Sequence, residues 1–334
     1  MRYLIVGAGA VGAYMGALLS RAGYDVTLHA RGPHLSAMQK NGVRVISKEG
    51  EFTVHPAIIS DLAQGGPYDV IFLCVKAHGL PPIAPQLGPA IGPETTVVST
   101  QNGIPWWYFQ RDNGPLSGMR LERIDPDGVV SKAIPADRVL GSLIYFATEI
   151  VEPGVIKHDE GNRITLGEPD GEKSERVRQI GQALVASGLR APITGHLKNE
   201  IWVKILGNVA FNPISALTGG TLAGILREPV TRDLVRNIMQ ETEAVVHKLG
   251  MELPVTIDQR MAGAEKIGEH KTSMLQDLEA GRPLELEAIV GAVLEIGERL
   301  GVAMPHARTV YACTKLLAQQ RAAGAQRNFS IGRG

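Results

Sequence analysis

The chain has 334 residues, 44% of them hydrophobic, which is enough for about two cores at roughly 150 residues per domain. Lysine plus arginine balance aspartate plus glutamate at 34 each, so no net field draws a polyanion or a charged membrane surface, and nucleic acid is not an expected partner. Cys74 and Cys313 stand far apart without C-x-x-C spacing and the nine histidines form neither H-x-H nor H-E-x-x-H, which argues against a disulfide framework and a metal centre and favours a reducing cytoplasm.

The chain opens with MRYLIVGAGAVGAYMGALL, where one arginine precedes an apolar run in the manner of a secretory signal. Its regularly placed glycines point elsewhere. Short β-branched runs at 3–6, 25–30, 69–75 and 95–100 alternate with helical patterns, which predicts a parallel, doubly wound α/β sheet. Residues 105–138 fit neither pattern. They combine Trp106, Trp107, Tyr108 and Phe109 with several glycines and prolines, and read equally as an aromatic plug on the sheet edge or a subunit contact and as an active-site cover. Two short runs around Gly161 and Asn162 predict an antiparallel hairpin over 154–169 that closes the first domain. From about residue 196 the apolar period is helical, so the second domain should be all helical, with a loosely ordered polar tail after about residue 322. No segment reaches the apolar length of a membrane span.

Gly7, Ala8, Gly9, Ala10, Val11 and Gly12 form a G-x-G-x-x-G loop between a strand and a helix. Gly7 permits the tight turn, Gly9 lets a pyrophosphate approach the backbone, and Gly12 lets helix and strand pack closely. The phosphates would meet a helix N-terminus, where N–H groups and the helix dipole favour negative charge. After the second strand an NAD binder usually offers an acid to the ribose hydroxyls. Arg31 stands there instead, and a guanidinium suits the 2′-phosphate of NADP. The next strands end at Lys76 and Asn102, both candidates for the same ligand edge, although an Asn-Gly pair is also a common turn.

In KILGNVAFNP the polar residues Lys204, Asn208 and Asn212 recur every fourth position, so they drift only about 40° per step and share one helix face. Two readings are open. The lysine reaches solvent, Asn208 satisfies a backbone group and Asn212 merely precedes the helix break at Pro213; or an ammonium and two amides line a cleft opposite a nicotinamide, where lysine can protonate an alkoxide as hydride arrives.

With VKAH, QNG, NEIWVKILGNVAFNPISAL and TSMLQDLEAGRPLELE added to the glycine loop, the chain up to about residue 320 resembles the ketopantoate reductase (2-dehydropantoate 2-reductase) family. The resemblance implies an NADP-binding Rossmann-type domain over 1–195 and a helical substrate domain over 196–334, like the C-terminal domain of 6-phosphogluconate dehydrogenase. It implies NADPH-dependent reduction of a 2-oxo acid to a 2-hydroxy acid, foremost ketopantoate to (R)-pantoate in pantothenate synthesis. A reductase of another oxo acid and a non-catalytic NADP-binding regulator are the alternatives. Lys204 would be the proton donor, with Glu285 near it and the nicotinamide; Asn208, Asn212 and Ser273 would hold substrate. Asn102 would lie between substrate and cofactor, and Arg31, Lys76 and the backbone at Ala147, just past the run LIYF, would serve the cofactor. A homodimer is compatible with the resemblance. Ser273 and Glu285 also have structural readings, as the cap of a Ser-x-x-Gln box and as an acid in a helix's first turn. Two departures stand out: TGGTLAG occupies the place of a further family asparagine, and the aromatic insertion is longer than the usual connection.

Overall fold

The computed structural model describes residues 1–331, with side chains as far as residue 323. Its backbone divides into one unit of residues 1–113 and 117–198 and a second made of residues 114–116 and the described chain from residue 199 onward.

The first unit is built on one nine-stranded sheet of order β4-β3-β9-β8-β7-β6-β1-β2-β5. In chain order it comprises β1 (Arg2–Val6), α1 (Ala10–Arg21), β2 (Asp25–His29), α2 (Gly32–Asn41), β3 (Val43–Ser47), β4 (Gly50–Val54), β5 (Ala57–Ile59) and β6 (Tyr68–Leu73). There follow α3 (Leu80–Ile83), β7 (Ile91–Ser99), α4 (Val129–Ala133), β8 (Val139–Glu152), β9 (Val155–Gly167) and α5 (Glu175–Ala186). Strands β7, β6, β1 and β2 are parallel neighbours, with Val6 in register with His29 on one side and Leu73 on the other. Runs such as YLIV in β1 are apolar on both faces because helices or other chain cover both sides of a parallel sheet, and Tyr3, Leu4, Ile5 and Val6 are fully buried.

The sheet is mixed, not purely parallel. The β3–β4 hairpin, absent from the sequence reading, joins it through parallel pairing of β3 with β9. The expected 154–169 hairpin is corrected in its turn. The reversal is at Pro153-Gly154, and β8 and β9 are the two long antiparallel arms. Gly161 instead sits inside β9 at a register shift opposite Tyr145 and Phe146, with φ +75° and no space for a Cβ against the Tyr145 carbonyl. A bulge of this kind needs one residue that tolerates left-handed backbone, so glycine serves it as readily as a turn.

The four aromatic residues of the insertion are buried in the manner of a plug. Trp106, Trp107, Tyr108 and Phe109 are each 1% exposed, which leaves them no surface with which to cover a ligand. Trp107 lies so close over Gly141 of β8 that a Cβ there would come within 2.7 Å of its ring. Asp125, fully buried, accepts the N–H groups of Val130 (2.6 Å) and Ser131 (3.1 Å) and so anchors the start of α4.

The second unit is helical: α6 (Leu197–Thr218), α7 (Leu222–Arg227), α8 (Pro229–Lys248), α9 (Ile257–Ile267), α10 (Ser273–Glu279), α11 (Ala292–Arg299) and α12 (Pro305–Ile331). A π-helical turn, Glu287–Gly291, leads into α11. In α8 the buried positions Val235, Ile238, Met239, Thr242, Val245 and Val246 follow three- and four-residue steps and form one stripe. Gly297 of α11 lets Met304 and Val245 close in, since a Cβ would lie 2.7 Å from the Met304 sulfur. The tail expected to be loose from about residue 322 continues α12 to Ile331, and residues 332–334 lie outside the described part. Among the described residues, no helix is long and apolar enough to cross a membrane.

Candidate active site

In the first unit the residues singled out for a nucleotide collect beyond the carboxyl ends of adjacent parallel strands. The loop of Gly7 to Gly12 follows β1, Arg31 follows β2, Lys76 follows β6 and Asn102 follows β7. Chain leaving β1 crosses to β2, while β6 pairs on the opposite side of β1, so the loop sits at the switch point where such sheets take their ligands.

The three glycines of the loop differ in what surrounds them. Gly7 has φ +92° and faces the backbone of Val75, with its N–H and that of Ala8 bonded to the His29 carbonyl. Gly12 is pressed against the Gly7 carbonyl and Cys74, where a Cβ would lie 2.9 Å from that residue's own Cβ. Burial pushes the Cys74 thiol up to about 12. A Cβ on Gly9 would meet nothing within 4 Å. Gly9 is also the N-cap of α1 and supplies no side chain to its first turn. Open backbone at Gly9 and a helix start without a side-chain cap fit the pyrophosphate of a dinucleotide.

Arg31 is exposed at the N-cap of α2, and Lys76 and Asn102 are half-buried. Gln101, which the sequence reading passed over, ties the ends of β6 and β7 together. Its Nε2 donates to the carbonyls of Leu73 (2.6 Å) and Val75 (3.0 Å), and its Oε1 accepts from Ser99 Oγ (2.9 Å). The turns carrying Lys76 and Asn102 are thereby fixed to each other. Ala147 is not past a strand end. It lies within β8, paired with Glu160 at a second register shift, because the strand runs on to Glu152.

In the second unit, α6 carries Lys204, Asn208 and Asn212 on one face. Ile201, Trp202, Ile205, Leu206 and Val209 are at most 3% exposed and hold the helix in its core. The helix does not break at Pro213 but continues through it to Thr218. The proline removes only the N–H that would bond the Val209 carbonyl. Lys204 and Asn208 are half-buried and Asn212 is 4% exposed. Asn208, Asn212 and Ser273 line one pocket of about 260 Å³, with Phe211 and Leu222 as apolar wall and Arg260 beside them. Lys204 stands one helical turn before Asn208 and is not part of that lining.

Ser273 is not the helix cap. Thr272 is, accepting from Leu275 N–H at 3.3 Å, and this leaves the exposed Ser273 hydroxyl as a pocket group. Two adjacent hydroxyls can each cap, and the helix begins one residue earlier than the Ser-x-x-Gln spacing implies. Glu285 likewise lies just ahead of the helical turn it was expected to enter. Its carbonyl accepts the Ile289 N–H at 3.1 Å, and the residue is 9% exposed. Among the described residues, no group of three or more His, Cys, Asp or Glu could hold a metal ion.

Comparison with known proteins supplies the context for these groups. The model of the family described as ketopantoate reductase PanE/ApbA matches residues 3–171, and that of its C-terminal part matches residues 196–318. A 2-dehydropantoate 2-reductase of Mesorhizobium japonicum is 47% identical over 96% of this chain and 99% of its own length. Among solved structures, a protein of Ralstonia solanacearum MolK2 presented as a candidate ketopantoate reductase is 40% identical, with a TM-score of 0.92 over 96% of this chain and 98% of that one. The 2-dehydropantoate 2-reductase of Methylococcus capsulatus is 33% identical, with a TM-score of 0.82 over 96% and 98%.

Proposed function

This chain belongs to the ketopantoate reductase family and is a pyridine-nucleotide-dependent oxidoreductase, and from that premise we propose that it reduces a 2-oxo acid to its 2-hydroxy acid with NADPH. Ketopantoate, giving (R)-pantoate, is the substrate this reading favours, after the relatives that carry that name. The observation that carries it is the gathering of Asn208, Asn212 and Ser273 around one pocket on the face of the helix that also bears Lys204.

The reaction adds hydride to the ketone carbon and a proton to its oxygen. Bound NADPH supplies the hydride. Gly7 to Gly12 would hold the pyrophosphate on their backbone, Arg31 would pair with the 2′-phosphate, and Lys76, Asn102 and the Ala147 backbone would serve the rest of the nucleotide. Lys204 donates a hydrogen bond to the ketone oxygen and gives up the proton as charge develops there. The Glu285 carboxylate orients that amine, and the two amides and the Ser273 hydroxyl hold the acid.

A panel of 2-oxo acids with NADPH and NADH, followed at the absorbance of the reduced cofactor, tests the reading. Consumption of NADPH with ketopantoate preferred over pyruvate, 2-oxoisovalerate and benzoylformate supports it. Preference for another member keeps the reaction and changes the substrate; cofactor binding without any turnover would point to the regulatory alternative.

A further inference from the structure

The helical unit's pocket holds one cationic group that the sequence pattern did not mark. Arg260 lies in the first turn of α9, and its side chain crosses to α6 at Gly207. A Cβ on Gly207 would come within 2.7 Å of the guanidinium carbon and 2.8 Å of Nε, so the missing side chain is what lets the planar group lie against the helix. Nε is shielded from solvent there, while the residue as a whole remains half-buried and faces the pocket. Gly207 directly precedes Asn208, so the guanidinium is set beside the first of the pocket amides.

The rest of the lining is neutral or apolar apart from His270, and includes neither Asp nor Glu. A guanidinium among two amides and a hydroxyl carries its N–H donors in one plane, a geometry suited to taking a carboxylate at two points. Resting on the oxo-acid reading above, we propose that Arg260 is the anchor for the substrate carboxylate, with Gly207 as the notch that positions it. The pocket then selects for an acid over an uncharged ketone, and a substrate held at its charged end has its keto group placed by the amides of α6.

The test is calorimetric binding of ketopantoate and of its uncharged methyl ester to the NADP-saturated protein, in wild type, Arg260→Met, Arg260→Lys and Gly207→Ala, with steady-state kinetics alongside. Arg260→Met should weaken the acid by about 30-fold or more and leave the ester unchanged. Arg260→Lys should recover part of the loss, and KM should rise more than kcat falls. Gly207→Ala should mimic the loss by displacing the guanidinium, and it carries the comparison if Arg260→Met does not fold. Acid affinity within threefold of wild type, or equal losses for acid and ester, would overturn the assignment. If the wild type reduces ketopantoate and Arg260→Met keeps its affinity, the anchor is wrong and the reductase reading stands. If binding depends on Arg260 but nothing is turned over, the reverse holds.

Discussion

Arg176 and Glu168 meet at two points, Nε to Oε1 at 2.7 Å and Nη2 to Oε2 at 2.5 Å, with the carboxylate only 3% exposed. The same guanidinium donates to the carbonyls of Asp137 and Val139, and Ser174 at the cap of α5 also donates to Glu168. One fork thus joins α5, the end of β9 and the start of β8. Removing the arginine leaves a buried carboxylate short of its partner, so Arg176→Met should cost about 3 kcal/mol, read as a lower urea midpoint. Arg176→Lys should recover little of that, since a lysine cannot reproduce the fork.

Lys204→Ala should lower kcat by about 100-fold or more, with NADPH affinity within a few-fold of wild type. Turnover and cofactor binding measured on the same preparation separate the two effects. Unchanged turnover would remove Lys204 from the chemistry.

Gly9 and Gly12 should part company when replaced by alanine. The space at Gly9 is open and its φ of −76° suits any residue, so Gly9→Ala should melt like wild type yet bind NADPH at least about tenfold more weakly. Gly12→Ala drives a Cβ into the Gly7 carbonyl and Cys74 and should lower the melting temperature itself.

Arg31→Glu should weaken NADPH and spare NADH, because only the former carries the 2′-phosphate. Kd values for both cofactors give the comparison, and equal losses would show that Arg31 does not read that phosphate.

Burial lowers the pKa of His29 and of His34 from 6.5. The unfolded chain takes up these protons before the native one does, so stability is full above about pH 6.5 and falls as the pH drops below it. His34 Nδ1 accepts the Gly154 N–H at 2.9 Å. Urea midpoints at pH 7.5 and 5.5 should therefore differ less for His34→Asn than for wild type.

The parallel strands and the glycine loop were legible because their ends are marked locally, by glycine, proline or a polar residue beside an apolar run. The β3–β4 hairpin was passed over because its stabilising neighbour, β9, comes a hundred residues later, beyond the reach of local pattern. Gly161 and Ser273 show a different limit. A glycine beside a polar residue marks a turn or a bulge alike, and of two adjacent hydroxyls either can cap a helix; strand pairing and a one-residue shift decide. The face of α6 was readable from a four-residue period, whereas Arg260 arrives from another helix and has no period to betray it.

The order of the sheet leaves β5 on one margin and β4 on the other. The first is three residues long, and the second carries Glu51, whose carboxylate pairs with Arg44 on the neighbouring strand. Little ladder is left bare for a stranger's backbone to copy, and a charge guards what remains. Crowded or freshly made copies of this protein thus meet only short margins there on which to begin a fibre.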